Sequence, residues 1–361
     1  MQATDQYDLI VAGAGPAGSA CAITAARAGA KVLLLEKDRF PRHKVCGEFV
    51  SPESLRLLEH LLNGNRFQDK PQIYAVTIFS GRRAIGMRID PAAESIPRFE
   101  LDAALAESAR SSGAEVWEEV SVREVIQKEE LFKVVTSAKT LTTRAVVNAT
   151  GRWSQLTRKP AAPEKWIGLK AHFREADPPD TVDLYFFDGG YCGVQPVAKD
   201  AVNACALVRS STARSLEEVF ALHPALAERS QNWEQVFPAV TTSGLYFRKP
   251  QTEHNGMLLA GDAAAFIDPF AGDGISLALH SGTLAAESLL TFLQSRCSLE
   301  QARRQYHSTY MKQLAPALRN AARVRMALSA PAFIRSMLLS LAARRPFAKA
   351  LVRSTRIKSR D

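Results

Sequence analysis

Residues 7–36, YDLIVAGAGPAGSACAITAARAGAKVLLLE, constrain the fold more than any other part of the chain. A short apolar run at 9–12 turns through Gly13-Ala14-Gly15-Pro16-Ala17-Gly18 into an Ala-rich segment that closes at Gly29. A second apolar run at 32–35 stops on an acid, Glu36. This pattern predicts strand, tight turn, helix and strand, with Gly29 as the helix C-cap. Gly13 permits the turn, Gly15 leaves room for a pyrophosphate against the backbone, and Gly18 lets the helix pack close on the strand. Phosphates placed there meet free N–H groups and the positive end of the helix dipole. Glu36 stands where a carboxylate accepts both hydrogen bonds of an adenosine ribose diol. Because strand, helix and acid all agree in spacing, the segment reads as a dinucleotide site rather than a merely glycine-rich turn.

A chain of 361 residues can bury one large core or two modest ones, and 46% hydrophobic with 23% charged residues is a globular balance. No apolar run approaches the roughly 20 residues that span a bilayer. The first strand begins within a few residues of Met1, leaving no room for a signal peptide, so a cytoplasmic protein is expected. The five cysteines are scattered without a CxxC pair, which argues against a disulfide framework and against a metal site. Residues 316–361 hold eleven Lys/Arg and one acid, so the net charge of +9 belongs to this tail.

After Glu36 the chain continues through Lys37 to a loop holding Arg42, His43, Lys44 and Cys46-Gly47-Glu48, and Ser51-Pro52 then starts a helix as N-cap and first residue. The basic residues of that loop read either as charge neutralisation beside a phosphate or as an ordinary solvated loop. Residues 73–89 alternate as a hairpin turning near Ser80-Gly81, and strands are predicted at 114–120 and 131–135. A buried strand at 146–149 runs into Gly151. From 166 to 245, short alternating runs separated by Gly, Pro and Asp predict an antiparallel sheet with one covered face, followed near 215–227 by a helical stretch. The first character returns at Gly256, with an apolar strand ending in Gly261-Asp262, a loop with Pro269, Gly272 and Gly274, and a helix to about Leu293. The expected class is therefore α/β: a discontinuous Rossmann-like nucleotide-binding domain (1–70, 98–160, 250–315), an inserted antiparallel β-sheet substrate domain (71–97, 161–249) and a basic C-terminal helical tail (316–361).

Taken together, these motifs resemble the FAD-dependent oxidoreductases of the para-hydroxybenzoate hydroxylase fold, in the branch of geranylgeranyl reductases and flavin-dependent halogenases. The resemblance implies FAD as cofactor. Gly13, Gly15, Pro16, Ala17 and Gly18 would hold its pyrophosphate, with Glu36 and Lys37 at the adenosine end. Arg42, Cys46, Gly47, Arg98 and Gly151 would lie along it. Asp262 would bond the ribityl chain, and Pro269, Gly272 and Gly274 would bring backbone N–H groups to the isoalloxazine, where a helix N-terminus stabilises reduced-flavin charge. NAD(P)H is the implied reductant, acting directly or through a reductase.

The departures bear on the reaction. Hydroxylases of this fold carry a DG dipeptide where this chain has Asn148-Ala149-Thr150-Gly151. Halogenases carry WxWxIP and prenyl reductases YxWxFP; here Tyr191-Cys192-Gly193-Val194-Gln195-Pro196 keeps Tyr and Pro without Trp, which argues against halogenation. Two chemistries remain: hydroxylation of a lipophilic aromatic, quinone or polyketide-type molecule, which is the expectation, and ene-reduction of a prenyl or polyene chain with Cys46 or Tyr191 as proton donor. A non-catalytic flavin-binding redox sensor is the alternative of a different class. Residues 331–345 place Ile334, Met337, Leu338 and Leu341 on one stripe among arginines. This segment reads either as a helix packed on the body or as a peripheral membrane-surface element serving a water-insoluble substrate. Few aromatics and no nucleic-acid fold exclude a nucleic-acid partner.

Overall fold

The structure, a computed structural model, describes residues 6–65, 67–81, 83–153, 156, 166–245, 247 and 249–328. In chain order, β1 (Gln6–Ala12), α1 (Pro16–Arg27), β2 (Val32–Leu35), β3 (Phe49–Val50) and α2 (Pro52–Leu61) come first. The hairpin β4 (Gln72–Ser80) and β5 (Arg83–Ser95) leads to α3 (Arg98–Ser111), β6 (Glu115–Trp117), β7 (Val122–Lys128), β8 (Leu131–Thr136) and β9 (Thr140–Asn148). A meander of β10 (Trp166–Arg174), β11 (Thr181–Phe187), β12 (Gly190–Ala198) and β13 (Ala201–Arg209) precedes α4 (Leu216–Ala221), α5 (Pro224–Arg229) and β14 (Val240–Ser243). The last described elements are β15 (Glu253–His254), β16 (Met257–Leu259), α6 (Gly274–Leu293), α7 (Leu299–Gln313) and α8 (Ala315–Leu328).

The apolar runs at 9–12, 32–35 and 145–148 form the parallel centre of the first sheet, ordered β15-β16-β9-β1-β2-β6, with the β7–β8 hairpin joined to the start of β9. Such runs lack alternation because parallel strands are covered on both faces. Leu9, Leu34 and Val147 pack under α1, α3 and α6, while Ile10, Leu33 and Leu35 pack on the hairpin side. Ala12 stands level with both Leu35 and Asn148, so three strands end together, and the site is built at that edge.

The second sheet runs β14-β10-β13-β12-β11-β4-β5-β3, antiparallel except where β4 meets β11. Its outer face carries Leu169, Ala171, Phe173, Tyr185 and Phe187, covered by α4, α5 and Trp233. The period of two turns the alternate residues of β10 the other way. β3 belongs to the loop after β2 yet pairs with β5 of this sheet, Phe49 opposite Ser95, so that loop is threaded from one lobe into the other.

Some local expectations change. The helical stretch near 215–227 is two helices, because Pro224 cannot continue α4 and becomes the first residue of α5. The strand expected over 114–120 is only β6, and β7, rich in exposed charge, has no apolar period to announce it. Ser51 is N-cap of α2 by position, but its hydroxyl bonds Ser276 of α6 at 2.7 Å and caps nothing. Gly29 lies one residue past the C-cap of α1, in the left-handed region at φ 87°. At the start of the tail, Ala317, Leu318 and Ala321 of α8 are buried in the first core. The amphipathic segment 331–345 lies outside the described residues. No helix among the described residues is long and apolar enough to cross a membrane.

Candidate cofactor and substrate site

A continuous cavity of about 670 Å³ runs between the two lobes. Every residue expected to hold the cofactor lines it except Gly18, and so does Tyr191. Gly18 works from behind: a Cβ there would lie 1.8 Å from the Gly13 carbonyl oxygen, so α1 starts directly on the turn. Gly13 itself adopts φ 95° against the end of β9, where a Cβ would come within 2.6 Å of Ala149 O. Gly15 is the N-cap of α1, Pro16 follows, and no acid stands in the first turn. On the open side of Gly15 a Cβ would meet only Arg98 Nη2, at 3.8 Å. The first N–H groups of α1 thus open toward the cavity beside a guanidinium, which is the electrostatic need of a pyrophosphate.

Two arginines share one carboxylate here. Asp102, fully buried, accepts from Arg98 Nε and Nη2 at 2.8 Å and from Arg42 Nη1 at 2.6 Å. Arg42 also donates to Glu36 Oε2 at 3.0 Å. That oxygen further accepts the Ala14 N–H at 2.9 Å, and Oε1 accepts the Asp38 N–H at 3.1 Å. Glu36 therefore braces the glycine turn as well as facing the cavity. With three acceptor positions of about four in use, it keeps room for one hydroxyl without rearrangement. Lys37 stands exposed at the cavity edge.

Further along the cavity, the half-buried Cys46, whose thiol interacts with Arg98, and the exposed Gly47 line the wall, as does the turn that starts α6. A Cβ on Gly47 or Gly274 would meet nothing within 4 Å. Gly272 is left-handed at φ 70°, and a Cβ there would lie 2.9 Å from the Phe49 ring. Gly261 and Gly151 are likewise left-handed, at φ 60° and 79°. Asp262 pairs with Arg152 Nε at 3.7 Å, and the Arg152 guanidinium lies 4.4 Å over the ring of Phe266. Burial pushes the Asp262 carboxyl up, while Arg152 and Arg98 pull it back.

Beyond this the wall turns apolar, with Leu184, Leu207, Leu245, Phe266 and Phe270. Tyr191, 8% exposed, directs its hydroxyl at Asp268 Oδ1, 3.4 Å away. The same oxygen accepts the Phe270 N–H at 3.3 Å and so fixes the turn that follows. Burial first, and then the Asp268 charge, push the Tyr191 hydroxyl well above its ordinary range.

Sequence reasoning passes over Glu48, Lys170, His172 and Asn203, which meet behind the Cys46-Gly47 turn. The carboxylate of Glu48 holds the Lys170 ammonium, His172 Nε2 at 2.7 Å and the Arg98 N–H at 2.8 Å. Burial alone would raise the Glu48 carboxyl, but His172 and Lys170 outweigh it and hold it down. One signal was available: Lys170 and His172 occupy alternate positions within a strand that is apolar from Trp166 to Phe173 apart from them, and a buried ammonium needs a buried partner.

These residues fit a flavin dinucleotide along the cavity's length: open glycines at both turns, guanidinium groups beside the first, a carboxylate between, and a helix start at the ring end. The chain matches the family described as FAD binding domain over residues 6–324. It is 28% identical over 346 residues to digeranylgeranylglycerophospholipid reductase 1 of Methanococcoides burtonii, covering 86% of this chain and 82% of the relative. It is 27% identical over 321 residues to menaquinone reductase of Mycobacterium tuberculosis, covering 80% and 78%. The structure of a geranylgeranyl bacteriochlorophyll reductase-like protein of Thermoplasma acidophilum superposes with a TM-score of 0.80 at 21% identity, covering 97% and 96%. A flavin-dependent brominase superposes at 0.81, with 21% identity and coverage of 97% and 93%.

Proposed function

Since the chain belongs to the FAD-binding-domain family, an oxidoreductase family with FAD as its cofactor, we propose that it is a monooxygenase that hydroxylates a lipophilic aromatic, quinone or polyketide-type small molecule. The observation that carries this reading is the apolar chamber of Leu184, Leu207, Leu245, Phe266 and Phe270, continuous with the dinucleotide cradle. Bound FAD, reduced by NAD(P)H directly or through a reductase, supplies the two-electron chemistry that activates dioxygen. The protein's share is position and dryness. The aromatic and leucine wall excludes water from the ring end. Tyr191, protonated at neutral pH and donating to Asp268, would orient a substrate hydroxyl by accepting its hydrogen bond. The N–H groups at the start of α6 would stabilise negative charge at the ring edge.

Ene-reduction is the second reading. It is supported by the presence of the Cys46 thiol on the cavity wall and by the reductases among the relatives. The two separate when NAD(P)H-reduced holoenzyme meets a long-chain alkylphenol and a polyprenyl quinone, with and without dioxygen. Hydroxylated alkylphenol formed only with dioxygen is expected. Saturation of a prenyl double bond under anaerobic conditions, with the alkylphenol untouched, transfers the assignment to the reductase.

A further inference from the structure

The turn that carries Cys46 and Gly47 to the ring end of the cavity is gripped by the opposite lobe. Asn203 of β13 donates through Nδ2 to the Cys46 carbonyl at 3.0 Å and to the Gly47 carbonyl at 2.9 Å. From β10, Lys170 and His172 hold both oxygens of the Glu48 carboxylate. His172 stands directly opposite Asn203, and Lys170 opposite Cys205, so the three side chains form one patch on one face of the sheet. All three, and Glu48, are at most 4% exposed.

A patch of this kind is a poor device for stability. Two buried charges gain little over apolar residues of the same volume. The Asn203 Oδ1 is buried with no hydrogen-bond partner among the described residues, and Glu48 adopts φ 64°, a left-handed conformation unfavourable for a residue with a Cβ. What these costs obtain is a fixed place for two carbonyls and one thiol. With both carbonyls turned to Asn203 and the Cys46 Sγ accepting the Glu48 N–H at 3.3 Å, the turn has one orientation toward the cavity.

We propose that Lys170, His172 and Asn203 are positioning residues for the flavin ring: with the Arg98 N–H, which also holds Glu48, the second sheet sets the turn against which the ring rests. This rests on the FAD reading above. The same strands bear Leu207 and, through β12, Tyr191 of the apolar chamber. Ring and substrate therefore share one rigid support, and their separation is fixed by the register of β10, β12 and β13.

The test uses holoenzyme carrying Asn203→Ala, and separately the charge-neutral pair Glu48→Gln with Lys170→Met. Three quantities are read: the FAD dissociation constant, the shape of the visible flavin band at saturating FAD, and the alkylation rate of Cys46 by iodoacetamide, followed by mass spectrometry. Each variant is expected to weaken FAD on the order of tenfold, to alter the band and to speed alkylation. Affinity within about twofold of the parent, with band and alkylation unchanged, overturns the proposal whatever the melting temperature does, and leaves the patch a core ion pair. If the double variant does not fold, Asn203→Ala decides alone, since it removes one uncharged amide. A parent protein that binds no FAD contradicts the cofactor reading instead, a result distinct from variants that bind as the parent does.

Discussion

Arg98 and Asp102, one turn apart on α3, are joined by two parallel bonds of 2.8 Å, and the Asp102 carboxylate is fully buried. Arg42 shares that carboxylate, so Asp102 neutralises two cations that would otherwise face each other beside the glycine turn. Asp102→Asn leaves both guanidinium groups against a neutral amide. It should destabilise the protein by about 3 kcal/mol in urea unfolding, the usual effect of breaking one side of a buried pair. An unchanged midpoint contradicts this.

His223 is buried among Phe79 and Tyr185, and neither ring nitrogen has a hydrogen-bond partner among the described residues. Burial lowers its pKa below the ordinary 6.5, so the folded protein keeps the ring neutral. As the pH falls below 6.5 the unfolded chain takes up a proton that the folded one refuses. Stability is therefore full above that value and declines beneath it. His223→Phe should remove this part of the acid limb and gain about 1 kcal/mol at neutral pH. Parallel stability–pH curves for the two proteins would count against it.

Gly282, mid-way along α6, crosses the first turn of α1, where a Cβ would fall 1.9 Å from Ala17 O. Gly282→Ala must push α6 away from the helix start that faces the pyrophosphate position. Expected is a loss of FAD content together with about 2 kcal/mol of stability. Parent-like flavin content and melting would show that the crossing has slack.

Tyr191→Phe removes the hydroxyl aimed at Asp268 and leaves the ring, which packs on Phe186. For a substrate whose phenol hydroxyl donates to the Tyr191 oxygen, kcat/KM should fall about tenfold, the effect of one lost buried hydrogen bond. Because burial and Asp268 raise the Tyr191 pKa above 10.0, the parent should show no loss attributable to this group until the pH passes that value. Equal activity of Tyr191→Phe on such substrates removes Tyr191 from substrate orientation.

The glycine turn and the acid beyond it are legible in the sequence because their contacts are local: Gly13, Gly15, Gly18 and Glu36 lie in one βαβ unit whose spacing reports its geometry. The ties between lobes are not. Glu48 meets Lys170 across 122 residues of chain and His172 across 124, and the alternation of Lys170 and His172 signals a buried partner without saying which acid it is. Gly282 looks like any small residue of an Ala-rich helix until α1 is laid across it. The same holds for Asp268, whose acceptance of the Phe270 N–H is a local turn feature but whose contact with Tyr191 arises only when the second sheet closes on the first lobe.

Monooxygenation as proposed would put one oxygen atom of dioxygen into the lipophilic substrate. Holoenzyme supplied with NAD(P)H, or with an NAD(P)H-driven reductase, and a long-chain alkylphenol under isotope-labelled dioxygen tests it by mass spectrometry of the product. One labelled oxygen atom in each hydroxylated molecule is the expected result. Product carrying unlabelled oxygen, or reducing equivalents consumed with labelled dioxygen recovered only as peroxide or water and the substrate unoxygenated, contradicts it.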